Sequence, residues 1–294
     1  MAEILNQVVT DTYAIYHGDC VDVMRGLPAD SVDYSIFSPP FSSLYTYSNS
    51  PRDMGNVLND AEFFAHFRFA IAELRRVIKP GHLVSFHCMD LPTSKERDGV
   101  IGLRDFPGDL IRAFQAEGMI YHSKVTIWKD PVTAMQRTKA LGLLHKTVRG
   151  NATMTRQGIA DFLVTMRDPR DIEERVTHGD EYPVSLWQNV ASPVWMDINP
   201  SDTLQYRSAR EHEDERHIAP LQLEVIRRGI RLWTNPNDVV LSPFMGIGSE
   251  GYVALQEGRR FIGAELKDSY FRQSVANLAR VSVERQPGLF EVSH

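Results

Sequence analysis

No stretch of this chain approaches the roughly 18 uninterrupted apolar residues that a membrane-spanning helix needs. The opening residues, MAEILNQVVTDTY, lack the basic-then-apolar pattern of a secretory signal, so a cytoplasmic location is expected, in a bacterium or for a phage protein acting there. Cysteine is scarce. Cys20 and Cys88 are the only two and form no CxxC pair, which argues against a disulfide framework or a structural zinc site and leaves two free thiols. Internal repeats and low-complexity tracts are absent. One further absence is local: no Asp or Glu occurs between Pro131 and Ala160, whereas Arg137, Lys139, Lys146, Arg149 and Arg156 all fall there. In a chain of net charge −6 this is a basic island, either a solvated face or a surface for a polyanion.

What is present is an alternation of strand-like and helix-like segments. Strands are predicted at TYAIYHG, VDYSIF, HLVSFHC, MIYHSKVTIW, DVVLSPF and RRFIGAEL. Between them, AEFFAHFRFAIAELRRVI, FPGDLIRAFQAEG, PLQLEVIRRGIRLW, GSEGYVALQEG and SYFRQSVANLARV read as helices. From about Pro131 to Arg210 the periodicity weakens. The 294 residues therefore predict an α/β fold, a mostly parallel, doubly wound sheet with one irregular insertion.

Two motifs carry chemistry. In DVVLSPFMGIGSEGYVAL, Gly246, Gly248 and Gly251 fit G-x-G-x-x-G between a strand and a helix, and Glu265 ends the next strand 19 residues after Gly246. Such a turn lets backbone approach a nucleoside cofactor, while the acid accepts hydrogen bonds from ribose hydroxyls. Nicotinamide, flavin and S-adenosylmethionine enzymes all share this geometry. The second motif is IFSPPF. A strand there ends in Ser38, Pro39, Pro40 and Phe41, where the prolines contribute no backbone N–H and leave carbonyls as acceptors for an exocyclic amine. Phe41 offers a flat face for a base taken out of its duplex.

With these motifs in their order, the chain resembles the permuted, β-type DNA amino-methyltransferases of the N4-cytosine/N6-adenine family, over most of its length apart from the insertion. The resemblance rests on HGDCVDVMRGLPADSVDYSIFSPPF, LRRVIKPGHLV, ERHIAPLQLEVIRRGI and FMGIGSEGYVALQEGRRFIGAEL. It implies a seven-stranded-type methyltransferase sheet, with a catalytic half at 1–131, target recognition at 132–210 and a cofactor half at 211–294. It also implies S-adenosyl-L-methionine as cofactor, double-stranded DNA as partner, and a monomer or homodimer. Ser38 to Phe41 take the place of the catalytic tetrapeptide, and serine at its first place is more typical of cytosine N4 than of adenine N6 enzymes. Asp19, Phe244, Gly246, Gly248, Ser249, Glu265, His217 and Ser242 become cofactor contacts. The five basic residues of the island become DNA contacts, with Gln136, Arg149, Asn151 or Gln157 as base readers.

Two departures from the family stand out. Ser242 occupies the place of a common Asp before Pro-Phe, and Ser249-Glu250 replace a small hydroxyl pair. They leave a catalytically inactive DNA-binding relative open as an alternative. Cys88, in SFHCMD, is a candidate nucleophile for cytosine C5 methylation, against the reading of a buried structural thiol. His82 and His87 lack metal-ligand spacing and read as packing or hydrogen-bonding residues; no metal is expected. Trp187 and Trp195 read as anchors of the insertion, against the alternative of stacking on nucleotides, and SSLYTYSNSPRDMGN, with Tyr45, Tyr47, Arg52 and Asp53, as a lid or a surface loop. A nicotinamide-dependent oxidoreductase is the competing enzyme class, resting on the glycine motif and Glu265 alone.

Overall fold

The computed structural model describes residues 4–40, 60–132, 145–180, 182–205 and 220–284. The chain begins with strands β1 (Asn6–Val9) and β2 (Tyr13–His17), helix α1 (Cys20–Arg25), β3 (Val32–Phe37), α2 (Asp60–Val77) and β4 (Ile78–Met89). A small hairpin, β5 (Leu91–Thr93) and β6 (Gly102–Arg104), encloses the short α3 (Lys95–Asp98), and α4 (Phe106–Ala116) leads to β7 (Ile120–Ile127). Then come α5 (His145–Asn151), β8 (Asp161–Arg167), α6 (Val184–Ala191) and β9 (Val194–Trp195). The last part contains α7 (Leu223–Trp233), β10 (Val239–Ser242), α8 (Ser249–Gln256), β11 (Arg260–Glu265) and α9 (Asp268–Glu284).

Nine strands form one mixed sheet in the order β1-β2-β11-β10-β3-β4-β8-β7-β9. Five of its eight adjacent pairings are parallel, and β2, β11, β10, β3 and β4 form an unbroken parallel block. All six residues of β3 are buried, as a central strand covered on both faces requires. On one face lie α1, α2 and α4, whose Val23, Met24, Phe63, Phe67, Leu110 and Phe114 pack with Phe37, Val84 and Phe86. On the other lie α7, α8 and α9, with Val225, Ile230, Val253, Phe271 and Leu278 against Tyr34, Ile36 and Val240. The doubly wound reading of the sequence is this arrangement.

Local sequence explains why these helices face as they do. In α4, Asp105 caps the first turn by accepting from the Gly108 N–H at 2.8 Å, and Phe106, Leu110 and Phe114 share the buried stripe at helical spacing. In α7, Val225, Ile226 and Ile230 are buried, while Arg227 and Arg231 reach the Glu257 carboxylate on the outside. Among the described residues no helix is long and apolar enough to cross a membrane.

The expected boundaries of the insertion need correction. Residues 161–167, placed by the sequence inside a target-recognition segment at 132–210, form β8, which pairs antiparallel with both β4 and β7 in the middle of the sheet. Val194–Trp195 likewise adds a short edge strand beside β7. The apolar run FLVTM is too brief for periodicity to separate from a helix fragment, and its surroundings are irregular, so it left no clear signal. Of the described residues in that span, 145–160, 168–180, 182–193 and 196–205 lie outside the nine strands.

Candidate active site

The parallel block puts the carboxyl ends of β2, β11, β10, β3 and β4 on one edge of the sheet. Connections from β10 lead toward β11, and those from β3 lead toward β4, so the crevice between β10 and β3 is the topological switch point. Both motifs end there. Because β8 runs antiparallel to β4, its first residue, Asp161, comes to the same edge.

On the β10–β11 side the residues expected to hold a cofactor converge. Asp19 follows β2 and caps α1, its Oδ1 accepting from the N–H groups of Val21 at 2.9 Å and Asp22 at 3.2 Å. The Glu265 carboxylate accepts from Gly246 N–H at 2.9 Å and Lys267 N–H at 2.8 Å. Asn277 of α9 donates to the Ile247 carbonyl at 2.8 Å and pins the glycine turn from behind. At Gly248 the backbone is left-handed, with φ of 85°, and an added Cβ would lie 2.7 Å from Leu278 Cδ1. Phe244 packs between Phe37 of β3, 5.7 Å away, and Phe67 of α2, 6.2 Å away, so a single aromatic ring ties the two motifs together.

Three buried polar residues mark the turn. Ser242 is fully buried, and its Oγ has no hydrogen-bond partner among the described residues. Ser249 and Glu250 open α8, both buried, and burial pushes the Glu250 carboxyl up to about 8, with the nearby charge of Glu265 adding to the shift. This donor and acceptor set fits S-adenosylmethionine. Glu265 would supply acceptors for ribose hydroxyls, the glycine turn would leave room for close approach, and the orphaned Ser242 oxygen would accept from an ammonium group. His217 lies outside the described residues.

On the β3–β4 side, Ser38 and Pro39 leave the strand at the sheet edge, Ser38 half-buried, Pro39 buried and Pro40 half-buried. Phe41 lies outside the described residues, as does the stretch from Ser42 to Asn56 with Tyr45, Tyr47, Arg52 and Asp53. Phe37 pairs with Phe86 in the β3–β4 register, which brings Ser38 beside His87. The Ser38 hydroxyl lies 3.2 Å from His87 Nδ1, and His87 Nε2 lies 2.9 Å from Asp161 Oδ2. Lys129, two residues beyond β7, forms an ion pair with the same carboxylate oxygen. Burial pushes the Asp161 carboxyl up, but the positive charge and hydrogen bonds of His87 and Lys129 outweigh it and hold the group below the usual carboxylate range. A row of four polar side chains thus runs inward from Ser38.

The sequence marks His87 as a packing or hydrogen-bonding residue, and hydrogen bonding is what the structure shows, but nothing in the sequence singles out Asp161 or Lys129. It instead offers Cys88 as a nucleophile. The structure corrects this: Cys88 is completely buried in the apolar cluster with Phe86, Leu91, Phe106 and Phe114. Burial, reinforced by the Asp161 and Asp90 charges, pushes its thiol well up, so a thiolate is disfavoured. Strand alternation decides between these neighbours. His87 takes the site face and Cys88 the core.

The basic island is described in part. Lys146 and Arg149 are exposed on α5, and Arg156 is half-buried next to β8. Arg137, Lys139 and Gln136 lie outside the described residues, while Asn151 and Gln157 are exposed. Of the two tryptophans, Trp195 is the anchor: it is 3% exposed, donates to the Val190 carbonyl at 3.2 Å and carries the Arg228 guanidinium 5.0 Å above its ring. Trp187 is 55% exposed.

The chain is 45% identical over 282 residues to the type II methyltransferase M1.MboII of Moraxella bovis, covering 88% of this chain and 94% of that one. It is 25% identical over 258 residues to the type II methyltransferase M.BglII of Bacillus subtilis, covering 87% of this chain and 66% of the relative's length. Its fold superposes on PvuII DNA methyltransferase (cytosine-N4-specific) with a TM-score of 0.67 at 16% identity, over 96% of this chain and 94% of the other. The nicotinamide oxidoreductase reading is overturned, because the DNA methylase family N6_N4_Mtase matches residues 32–276. The chain belongs to this N6/N4 family and is a DNA methyltransferase.

Proposed function

We propose that the enzyme transfers a methyl group from S-adenosylmethionine to the N4 amino group of a cytosine flipped out of double-stranded DNA. The observation that carries the choice of base is Ser38, a hydroxyl at the end of β3 where adenine-directed relatives of this resemblance usually carry Asp or Asn. Bound S-adenosylmethionine supplies an electrophilic methyl on a sulfonium. The protein's part is placement and polarity. Ser38 Oγ and the Pro39 carbonyl accept the two amino hydrogens, which turns the nitrogen lone pair out of ring conjugation and toward the methyl carbon. Phe41 provides the stacking face for the base. Asp19, Glu265 and the glycine turn hold the nucleoside end, and Ser242 accepts from the ammonium group.

Residues 132–160 and 168–193 serve target recognition in this reading, with the catalytic half before them and the cofactor half after. Lys146 and Arg149, together with Arg137, Lys139 and Arg156, supply phosphate contacts. Mass spectrometry of nucleosides from unmodified DNA incubated with the enzyme and S-adenosylmethionine tests the base. N4-methyldeoxycytidine is expected. N6-methyldeoxyadenosine as the sole product would overturn the cytosine assignment, and no methylated nucleoside at all would overturn methyl transfer by this chain.

A further inference from the structure

We propose that His87, backed by Asp161, takes up the proton which the target amine loses, through the Ser38 hydroxyl. The inference rests on the amino-transfer reading and deepens it. A serine oxygen is a poor base, so an enzyme with serine rather than a carboxylate at this place needs another group to receive the proton.

The geometry defines the direction of the hydrogen bonds. Asp161 is 2% exposed and held ionised by Lys129, so at the 2.9 Å contact it must accept, and His87 Nε2 carries the hydrogen. In the neutral ring Nδ1 then has a free lone pair, and at 3.2 Å it accepts from the Ser38 hydroxyl. With its own hydrogen committed inward, Ser38 presents only lone pairs to the crevice. It can therefore act on the target amine as an acceptor and not as a donor. Lys129 pairs with Asp161 whichever protonation state His87 is in, so the carboxylate is never left as a lone buried charge. Asp161 Oδ1 has no hydrogen-bond partner among the described residues, unlike a carboxylate saturated by backbone donors for structural reasons alone.

The step balances. As the amine nitrogen forms its bond to the methyl carbon, the carbon–sulfur bond breaks and sulfur keeps that electron pair. The nitrogen, now positive, loses one hydrogen to Ser38 Oγ and keeps the N–H electron pair. Ser38 passes its original hydrogen to His87 Nδ1 and ends unchanged. The imidazolium is paired with Asp161 and, with the His87 side chain 12% exposed, returns its proton to water. No oxidant, metal or further reactant enters.

The test compares His87→Asn and His87→Ala with the wild type in single-turnover methyl transfer, alongside binding of S-adenosylhomocysteine and of the DNA substrate. Asparagine keeps a hydrogen-bonding group near the Nδ1 position but cannot take up a proton. The expected result is a rate loss of about a hundredfold or more in both variants, the range for removing a general base, with both dissociation constants within about threefold of wild type. Added imidazole is expected to restore at least about tenfold of the rate to His87→Ala. Asp161→Asn, which permits the wrong ring tautomer, is expected to lose rate without losing binding. A His87→Asn rate within about threefold of wild type overturns the proposal. So does a loss of rate accompanied by equal loss of binding and unrelieved by imidazole, which would make His87 structural. Wild-type protein that transfers no methyl group would instead sink the amino-transfer reading itself.

Discussion

The backbone N–H of Gly246 donates to Oε2 of Glu265 at 2.9 Å, so the first glycine of the turn and the acid that ends β11 are held together before any ligand arrives. Lys267 N–H occupies the other carboxylate oxygen at 2.8 Å. The acid is therefore oriented by backbone, as a contact to ribose hydroxyls in the proposed site requires. Glu265→Ala removes charge-assisted bonds of about 1.5–3 kcal/mol each. Binding of S-adenosylhomocysteine, measured by calorimetry, is expected to weaken at least about tenfold, and unchanged affinity would remove Glu265 from the site.

Gly248→Ala acts on the same turn by another route. Its φ of 85° is strained for any residue with a Cβ, and the added atom meets Leu278 Cδ1 at 2.7 Å and Ser274 Cβ at 3.1 Å. Either α9 shifts or the turn opens. Strain and overpacking together are expected to destabilise the fold by roughly 1–3 kcal/mol and to weaken the cofactor analogue as well. Denaturant unfolding with and without S-adenosylhomocysteine measures both effects.

Cys88→Ala separates amino from carbon methylation. The thiol sits in the core with its ionisation suppressed, on the opposite strand face from His87. Methyl transfer is expected to stay within about twofold of wild type, with stability lowered by on the order of 1 kcal/mol for the small cavity. Abolished transfer by a folded variant would restore the nucleophile.

Glu250 gives a prediction in pH. Its carboxyl is raised from the unfolded value of 4.5 to about 8 in the folded protein, by burial first. Between these two values the unfolded chain has released a proton that the native protein still holds, so stability of the cofactor-free enzyme falls as pH rises through that window. At pH 7 the loss is on the order of 3 kcal/mol. Glu250→Gln is expected to flatten this part of the curve and to gain most at neutral pH. Urea midpoints from pH 5 to 8 read it directly. Parallel curves for the two proteins would place the titration elsewhere.

Much of this site is legible in the linear sequence because its cofactor half is made of local signals. The turn from Ser242 to Gly251 needs glycine where φ is positive, and Glu265 ends the very next strand, so spacing alone brings them together. The strand Val32–Phe37 is equally plain, since Val32, Tyr34, Ile36 and Phe37 leave only Asp33 and Ser35 polar, and Ser38 and two prolines follow. The His87–Asp161 contact is different in kind. It joins residues 74 positions apart, across two strands, one of which hides in an irregular stretch. Only the antiparallel pairing of β8 with β4 makes it, and no periodicity announces a pairing partner. The same missing strand explains why the insertion was drawn too wide, and why a cysteine one residue along looked like the better candidate.

Lys146 and Arg149 test the role of the basic island. Both are exposed on α5, between the masses of the sheet's β7 and β8 in sequence and free of acidic neighbours from 131 to 160. A solvated face and a phosphate-contacting face differ in their salt dependence. Each lysine or arginine that neutralises a phosphate adds about 0.9 to the slope of log affinity against log salt. The double substitution Lys146→Ala and Arg149→Ala is expected to weaken DNA binding at low salt and to reduce that slope by roughly two, while leaving S-adenosylhomocysteine binding unaltered. Fluorescence anisotropy over a salt series gives the slope. If it is unchanged, α5 does not face the phosphates, and the DNA contacts of the insertion have to come from its other residues.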